Sequence, residues 1–156
     1  MNIPFSPPDI SQNEIESVVE TLKSGWITTG PKTKKFENEI ANYIGNEKAV
    51  CLSSDTAAME MTLRLLGIGP GDEVIIPAYT YTATCSVICH VGATPVMVDI
   101  QKDKPEIDYY KVCNAVTEKT KAIIPVDLAG IICDYEKLYE ILNSKKDIFK
   151  NNIKND

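Results

Sequence analysis

From Ala49 onward, short apolar runs alternate with helical stretches, and this alternation constrains the fold more than any other feature of the chain. Residues 49–53 (AVCLS) read as a strand, 56–66 as a helix, 73–76 as a strand and 81–91 as a helix. Residues 95–98, 109–116, 121–126 and 135–142 repeat the order strand, helix, strand, helix. Strands separated by helices rejoin one sheet through right-handed crossovers, so the pattern predicts an α/β fold with a mostly parallel sheet and βαβ crossovers. Each of the four runs is near-continuously apolar, as a strand covered on both faces must be. The 56–66 helix is apolar on most sides and is expected to be buried.

The first 46 residues are of a different kind. Ser11 followed by Glu14 is a capping-box pattern that opens a helix. Ile15, Val18, Val19 and Leu22 then form one apolar stripe that ends at Gly25. Gly and Pro content makes Gly25-Trp-Ile-Thr-Thr-Gly30-Pro31 a loop. Pro31 can start a second helix, carrying Phe36, Ile40, Tyr43 and Ile44 until Gly45 stops it. The predicted organisation is a helical segment with a loop over 1–46, a partial α/β domain over 47–143, and a polar tail rich in Lys and Asn over 144–156.

Composition narrows the function classes. With 156 residues, 44% hydrophobic and 24% charged, the chain has material for a globular core. A net charge of −6 argues against nucleic acid as a partner, since its backbone demands a basic face. No apolar run approaches a membrane span. The opening MNIPFSPPDISQNE has neither the basic nor the apolar region of a signal peptide, which argues for a cytoplasmic protein. The cysteines at 51, 85, 89, 113 and 133 are odd in number, lie in apolar segments and are expected to be free, buried thiols. With no CxxC pair and one histidine, no zinc site is expected.

Two segments could carry chemistry. Ser53-Ser54-Asp55-Thr56 lies between a strand and a helix, where free amides and the helix dipole favour an anion; taken alone it reads rather as a helix cap, since Ser, Asp and Thr all cap helices well. Pro77-Ala-Tyr79-Thr80-Tyr81-Thr82-Ala-Thr84 follows a parallel strand, at the end of the sheet where open α/β sheets bind ligands. An aromatic there can stack on a flat heterocycle or simply pack on its own sheet. Together the two segments point to a phosphorylated ring. Asp127, after the last strand, either faces the same crevice or caps its own loop. His90, with no carboxylate near it in sequence, reads as a helix-end residue. The glycines of Gly67-Ile-Gly69-Pro-Gly71-Asp72 follow a helix and precede a strand, the reverse of a nucleotide-binding loop, and read as a structural turn.

The segments IPFSPPDIS, SGWITTGPKTKKFE, SSDTAAMEMTLRLLGIGPGDEVIIPAYTYTAT, VGATPVMVDI and TKAIIPVDLAG, in this order and spacing, resemble the DegT/DnrJ/EryC1/StrS sugar aminotransferases. The resemblance covers residues 1 to about 142. It implies a truncated large domain of the aspartate-aminotransferase fold, the type I fold of pyridoxal-phosphate enzymes. It implies that Asp55 and Thr56 hold the cofactor phosphate, that Tyr81 stacks on the pyridine ring and that Thr84 lies on the same wall. The loop around Trp26 is expected near the active site and a dimer partner. Substrates of the family are nucleotide-linked keto sugars, with glutamate as amino donor. The family's Asp for the pyridine nitrogen and its Schiff-base Lys come later than any residue of this sequence, so the resemblance implies a fragment inactive by itself, prone to pair through uncovered edges. Asp55 stands where the family has Gly or Ala, and a carboxylate there opposes a phosphate. A non-catalytic binding module on the same scaffold, and a fragment of a sugar dehydratase, are the alternative readings.

Overall fold

In the computed structural model residues 6–148 are described, and the chain divides between Cys51 and Leu52 into two units. The first unit holds α1 (Gln12–Lys23) and α2 (Pro31–Ile44). The predicted capping box is formed: the Ser11 hydroxyl accepts an amide of the first turn, and the Glu14 carboxylate accepts the Ser11 N–H. Pro31 occupies the first turn of α2, and Gly45 ends it in the left-handed conformation at φ 73°. Lys32 ties the start of α2 to α1, donating to the Ser17 carbonyl at 3.0 Å and the Glu20 carboxylate at 2.7 Å. The stripe Ile15, Val18, Val19 and Leu22 lies on α1 and remains exposed.

In the second unit β1 (Glu73–Pro77), β2 (Thr94–Val98) and β3 (Thr120–Ile123) form a parallel sheet in the order β2-β1-β3. Four helices complete it: α3 (Asp55–Leu65), α4 (Thr82–His90), α5 (Tyr109–Ala115) and α6 (Tyr135–Ser144). Successive residues of β1 serve opposite faces. Val74 and Ile76 pack with Leu63, Val87 and Ile88 of α3 and α4, whereas Ile75 packs with Val98, Val112 and Leu138, on the side of α5 and α6. The reversal has a simple cause. The step from β1 to β2 and the step from β2 back across β1 to β3 run in opposite directions, so crossovers of one hand place their helices on opposite faces.

The turn between α3 and β1 is structural, as the sequence suggested. Gly67 is left-handed at φ 69°, its N–H bonds the Arg64 carbonyl and the Ile68 N–H reaches Leu63, which closes the helix end. The Asp72 carboxylate accepts the Gly69 N–H at 3.0 Å. Gly92, left-handed at φ 79°, has the Pro70 ring 3.1 Å from where a Cβ would sit, so this turn is closed to side chains.

Three expectations are corrected. Residues 49–53 are not a strand. Both edges of β1 are taken by β2 and β3, neither outer strand carries 49–53, and the Cys51 N–H turns to the Glu37 carboxylate at 3.0 Å. The sheet therefore has three strands among the described residues, not four. Helix α3 is not buried all round: Leu63 is its one buried residue, and Met61 and Leu65 stay exposed because only α4 and the sheet cover it. The five cysteines are free, as expected, but only Cys133 is buried, and Cys89 on α4 is exposed. Among the described residues no helix is long and apolar enough to cross a membrane. Of the polar tail assigned to 144–156, residues 149–156 lie outside the described residues; 144 ends α6 and Lys146–Ile148 form a 3-10 turn.

Candidate functional site

The carboxyl ends of the strands gather the candidate residues of the second unit. Helix α3 enters β1 through a short turn and so runs antiparallel to it. Eleven residues of helix rise about 16 Å, and five residues of strand extend about the same. The first turn of α3 therefore lies level with the loop that leaves Pro77. Helix α4 starts from that loop and also runs antiparallel to the sheet. Packed against each other, α3 and α4 are thus parallel, with both N-termini at one end.

At the α3 terminus, Ser54 is the N-cap, and its hydroxyl accepts the Ala57 N–H at 3.1 Å. The first intrahelical bond runs from the Ala58 N–H to the Ser54 carbonyl at 3.1 Å. The amides of Asp55 and Thr56 precede that bond and have no intrahelical acceptor. The cap reading of this segment is the one observed, and it leaves the amides of the first two helical residues without an intrahelical acceptor. Asp55 is exposed and Thr56 half-buried.

Tyr81 is the N-cap of α4, in extended backbone, with 79% of its surface exposed. Its ring is available to a ligand and is not packed on the sheet. Thr84 differs: it is 5% exposed, and its hydroxyl pairs with that of Thr80 at 2.9 Å. That pair fastens the first turn of α4 to the loop. The loop root is fixed in turn by the Ala78 N–H, which donates to the Val98 carbonyl at 2.7 Å. As a donor set, two helix-end amides and a threonine hydroxyl suit a phosphate monoester, and an exposed phenol ring at the same end of the helix pair suits a flat heterocycle.

Adjacent strands β1 and β3 send their chains to opposite faces, which opens the crevice where doubly wound sheets hold ligands. Asp127 stands in the loop after β3 but turns inward on that loop. Its carboxylate accepts the Cys133 N–H at 2.8 Å and the Tyr135 hydroxyl at 3.1 Å. The Cys133 amide holds this carboxyl below its ordinary range, and burial pushes the Cys133 thiol up. Of its two readings, the loop cap fits. Tyr109, whose hydroxyl accepts the Asp134 N–H and donates to the buried Glu106 at 2.9 Å, joins α5 to the start of α6. Burial pushes this phenol up to about 12.

His90 is the helix-end residue the sequence suggested, the last of α4, and a carboxylate distant in sequence meets it there. Its Nδ1 lies 2.9 Å from Glu60 Oε2, across the contact of α4 with α3. Thirty residues separate the pair, and the one signal in the sequence was the spacing of Glu60 and Arg64 on successive turns of a helix.

In the first unit, the loop before α2 shapes a cleft of about 400 Å³ lined by Trp26, Ile27, Thr28 and Lys32 among others. The Trp26 indole N–H donates to the Thr29 carbonyl at 3.0 Å and lies over Gly30. A Cβ at Gly30 would sit 2.1 Å from the indole nitrogen. Gly30→Ala is therefore expected to expel the ring and break its hydrogen bond. Trp26 is the only tryptophan, so the emission maximum should move to longer wavelength; an unchanged spectrum would refute the packing described.

This doubly wound parallel sheet, with two parallel helix N-termini at its carboxyl end, is shared with part of solved pyridoxal-phosphate aminotransferases. A solved protein of Streptococcus pneumoniae described as a sugar aminotransferase, Spr1654, superposes with a TM-score of 0.95 and 62% identity, over 99% of this chain and 39% of its own. DesV of S. venezuelae superposes with a TM-score of 0.80 and 39% identity, over 85% of this chain and 36% of its own. The spore coat polysaccharide biosynthesis protein SpsC of Bacillus subtilis is 45% identical over 139 residues, which are 89% of this chain and 36% of SpsC. The description of the DegT/DnrJ/EryC1/StrS aminotransferase family matches residues 8–148. The chain belongs to that family, and it spans little more than a third of the length of these relatives.

Proposed function

We propose that residues 52–148 form the phosphate and ring-stacking part of a pyridoxal-phosphate site, in a protein that transfers an amino group from glutamate to a nucleotide-linked keto sugar. The observation that carries this reading is the common end of α3 and α4. The unclaimed amides of Asp55 and Thr56 and the exposed ring of Tyr81 stand there together. Spr1654 was solved in forms with pyridoxal phosphate and with pyridoxamine phosphate, which supports the cofactor class.

In this reading the Asp55 and Thr56 amides and the Thr56 hydroxyl bind the phosphate. Tyr81 lies against one face of the ring. Thr84, buried and bonded to Thr80, keeps the Tyr81 turn in place. Bound pyridoxal phosphate supplies the electron sink for amino transfer. Residues 1–156 by themselves bind without transferring, because no lysine here stands where the family attaches the cofactor. The exposed stripe on α1 and the open edges of β2 and β3 favour self-association, as in a homodimer. Five unpaired cysteines accord with a reducing, cytoplasmic setting.

Titration of the 156-residue chain with pyridoxal phosphate, followed by borohydride reduction and peptide mapping, tests the reading. Saturable binding that Tyr81→Ala weakens about tenfold, with no lysine labelled, is expected. A single labelled lysine would overturn the inactivity, and no phosphate-dependent binding would leave only the scaffold.

A further inference from the structure

We propose that Glu60, Arg64 and His90 form a clamp that sets the axial register of α3 against α4, and with it the height of the phosphate amides relative to Tyr81; this rests on the cofactor reading above. Four contacts link the three residues, two within α3 and two between α3 and α4. Glu60 Oε1 accepts Arg64 Nε at 3.0 Å and Nη2 at 2.8 Å, while Glu60 Oε2 meets His90 Nδ1 at 2.9 Å. Arg64 Nη2 also donates to the His90 carbonyl at 3.3 Å, at the C-terminal end of α4, where the dipole favours a cation.

Apolar packing sets the distance between the helices, and the polar contacts add a directional constraint along them. Leu63, Val87 and Ile88 hold the helices together, but contacts between aliphatic side chains are non-directional. Hydrogen-bonded ion pairs are directional, and these lie at the end of α4 remote from Tyr81. Because the helices are parallel, a slide at the clamp becomes an equal slide between the Asp55–Thr56 amides and the Tyr81–Thr84 turn.

Arg64, then His90, hold the Glu60 carboxyl below its ordinary range. The contacts that Glu60 accepts from Arg64 are therefore charge-assisted. By linkage, a clamp that favours the register in which the amides and the ring meet one ligand also favours the bound state of the cradle.

The test compares pyridoxal phosphate affinity at neutral pH for the wild-type chain, His90→Gln, Glu60→Gln and the double variant, with thermal melting alongside. The wild type is expected to bind about threefold more tightly than either single variant, the scale of an exposed ion pair. In the Glu60→Gln background the His90 substitution should change affinity little, because the partner is gone. Affinity unchanged in both single variants, even with lowered melting temperatures, overturns the clamp and leaves the cradle standing. No binding by the wild type overturns the cradle and the clamp with it.

Discussion

Ile75→Ala is expected to remove most of the stability of the Leu52–Asp156 unit. Ile75 is the middle residue of the middle strand and is fully buried, packed with Val98, Ile107, Val112 and Leu138. Truncation deletes apolar groups worth about 0.8 kcal/mol each and leaves a cavity between strand and helices. Together these cost about 2–5 kcal/mol, against a total of about 5–15 kcal/mol for an ordinary domain. With α3 covered on one side only and both outer strands unpaired on their far edges among the described residues, this unit should sit at the low end of that range. The matched control is Leu65→Ala, on α3, where the side chain is 80% exposed and the change should be within about 0.5 kcal/mol. Urea unfolding followed by far-ultraviolet dichroism reads both. Equal midpoints for the two variants would contradict the core assigned to β1.

The contrast between those two leucine and isoleucine positions also shows what the sequence could convey. The βα order, the capping box at Ser11, the stop at Gly45 and the turn at Gly67 were legible because each is dictated by residues within four or five positions. The strand expected at 49–53 was not, because a strand exists only with a partner, and partner choice is a matter of topology. Likewise, the apolar composition of α3 announced burial, but which side is covered depends on elements elsewhere in the chain. Near the proposed site, the start of α4 at Tyr81 was legible as a strand-to-helix junction, whereas the start of α3 at Asp55 was legible only from its capping residues, since no strand precedes it; the structure adds that the two helices are parallel. The contact of Glu60 with His90 was invisible for the same reason as the missing strand: it joins residues brought together only by the crossover.

Asp55→Asn is expected to tighten binding of pyridoxal phosphate while destabilising the chain, two effects of opposite sign from one atom-for-atom change. Asp55 is the first residue of α3 and the acidic group of its first turn. A carboxylate there is favoured by the helix dipole, so its neutralisation should cost about 0.3–1 kcal/mol of stability. Toward a bound phosphate the same charge is repulsive. If the Asp55 amide donates to the phosphate, the carboxylate stands roughly 5 Å away, where two unit charges in water repel by somewhat under about 1 kcal/mol. The phosphate carries about −1.5 to −2, so removing the carboxylate should improve affinity about tenfold at low salt. Higher ionic strength should shrink the gain, because Asp55 is exposed and the Debye length falls to about 8 Å at physiological salt. Pyridoxal without its phosphate is the control and should gain nothing. Tighter binding of both ligands would show that Asp55 acts on the ring, and unchanged binding of both would remove the phosphate from the α3 terminus. Only the paired result, lower melting temperature with phosphate-specific tightening, identifies the start of α3 as an anion site that carries an anion of its own.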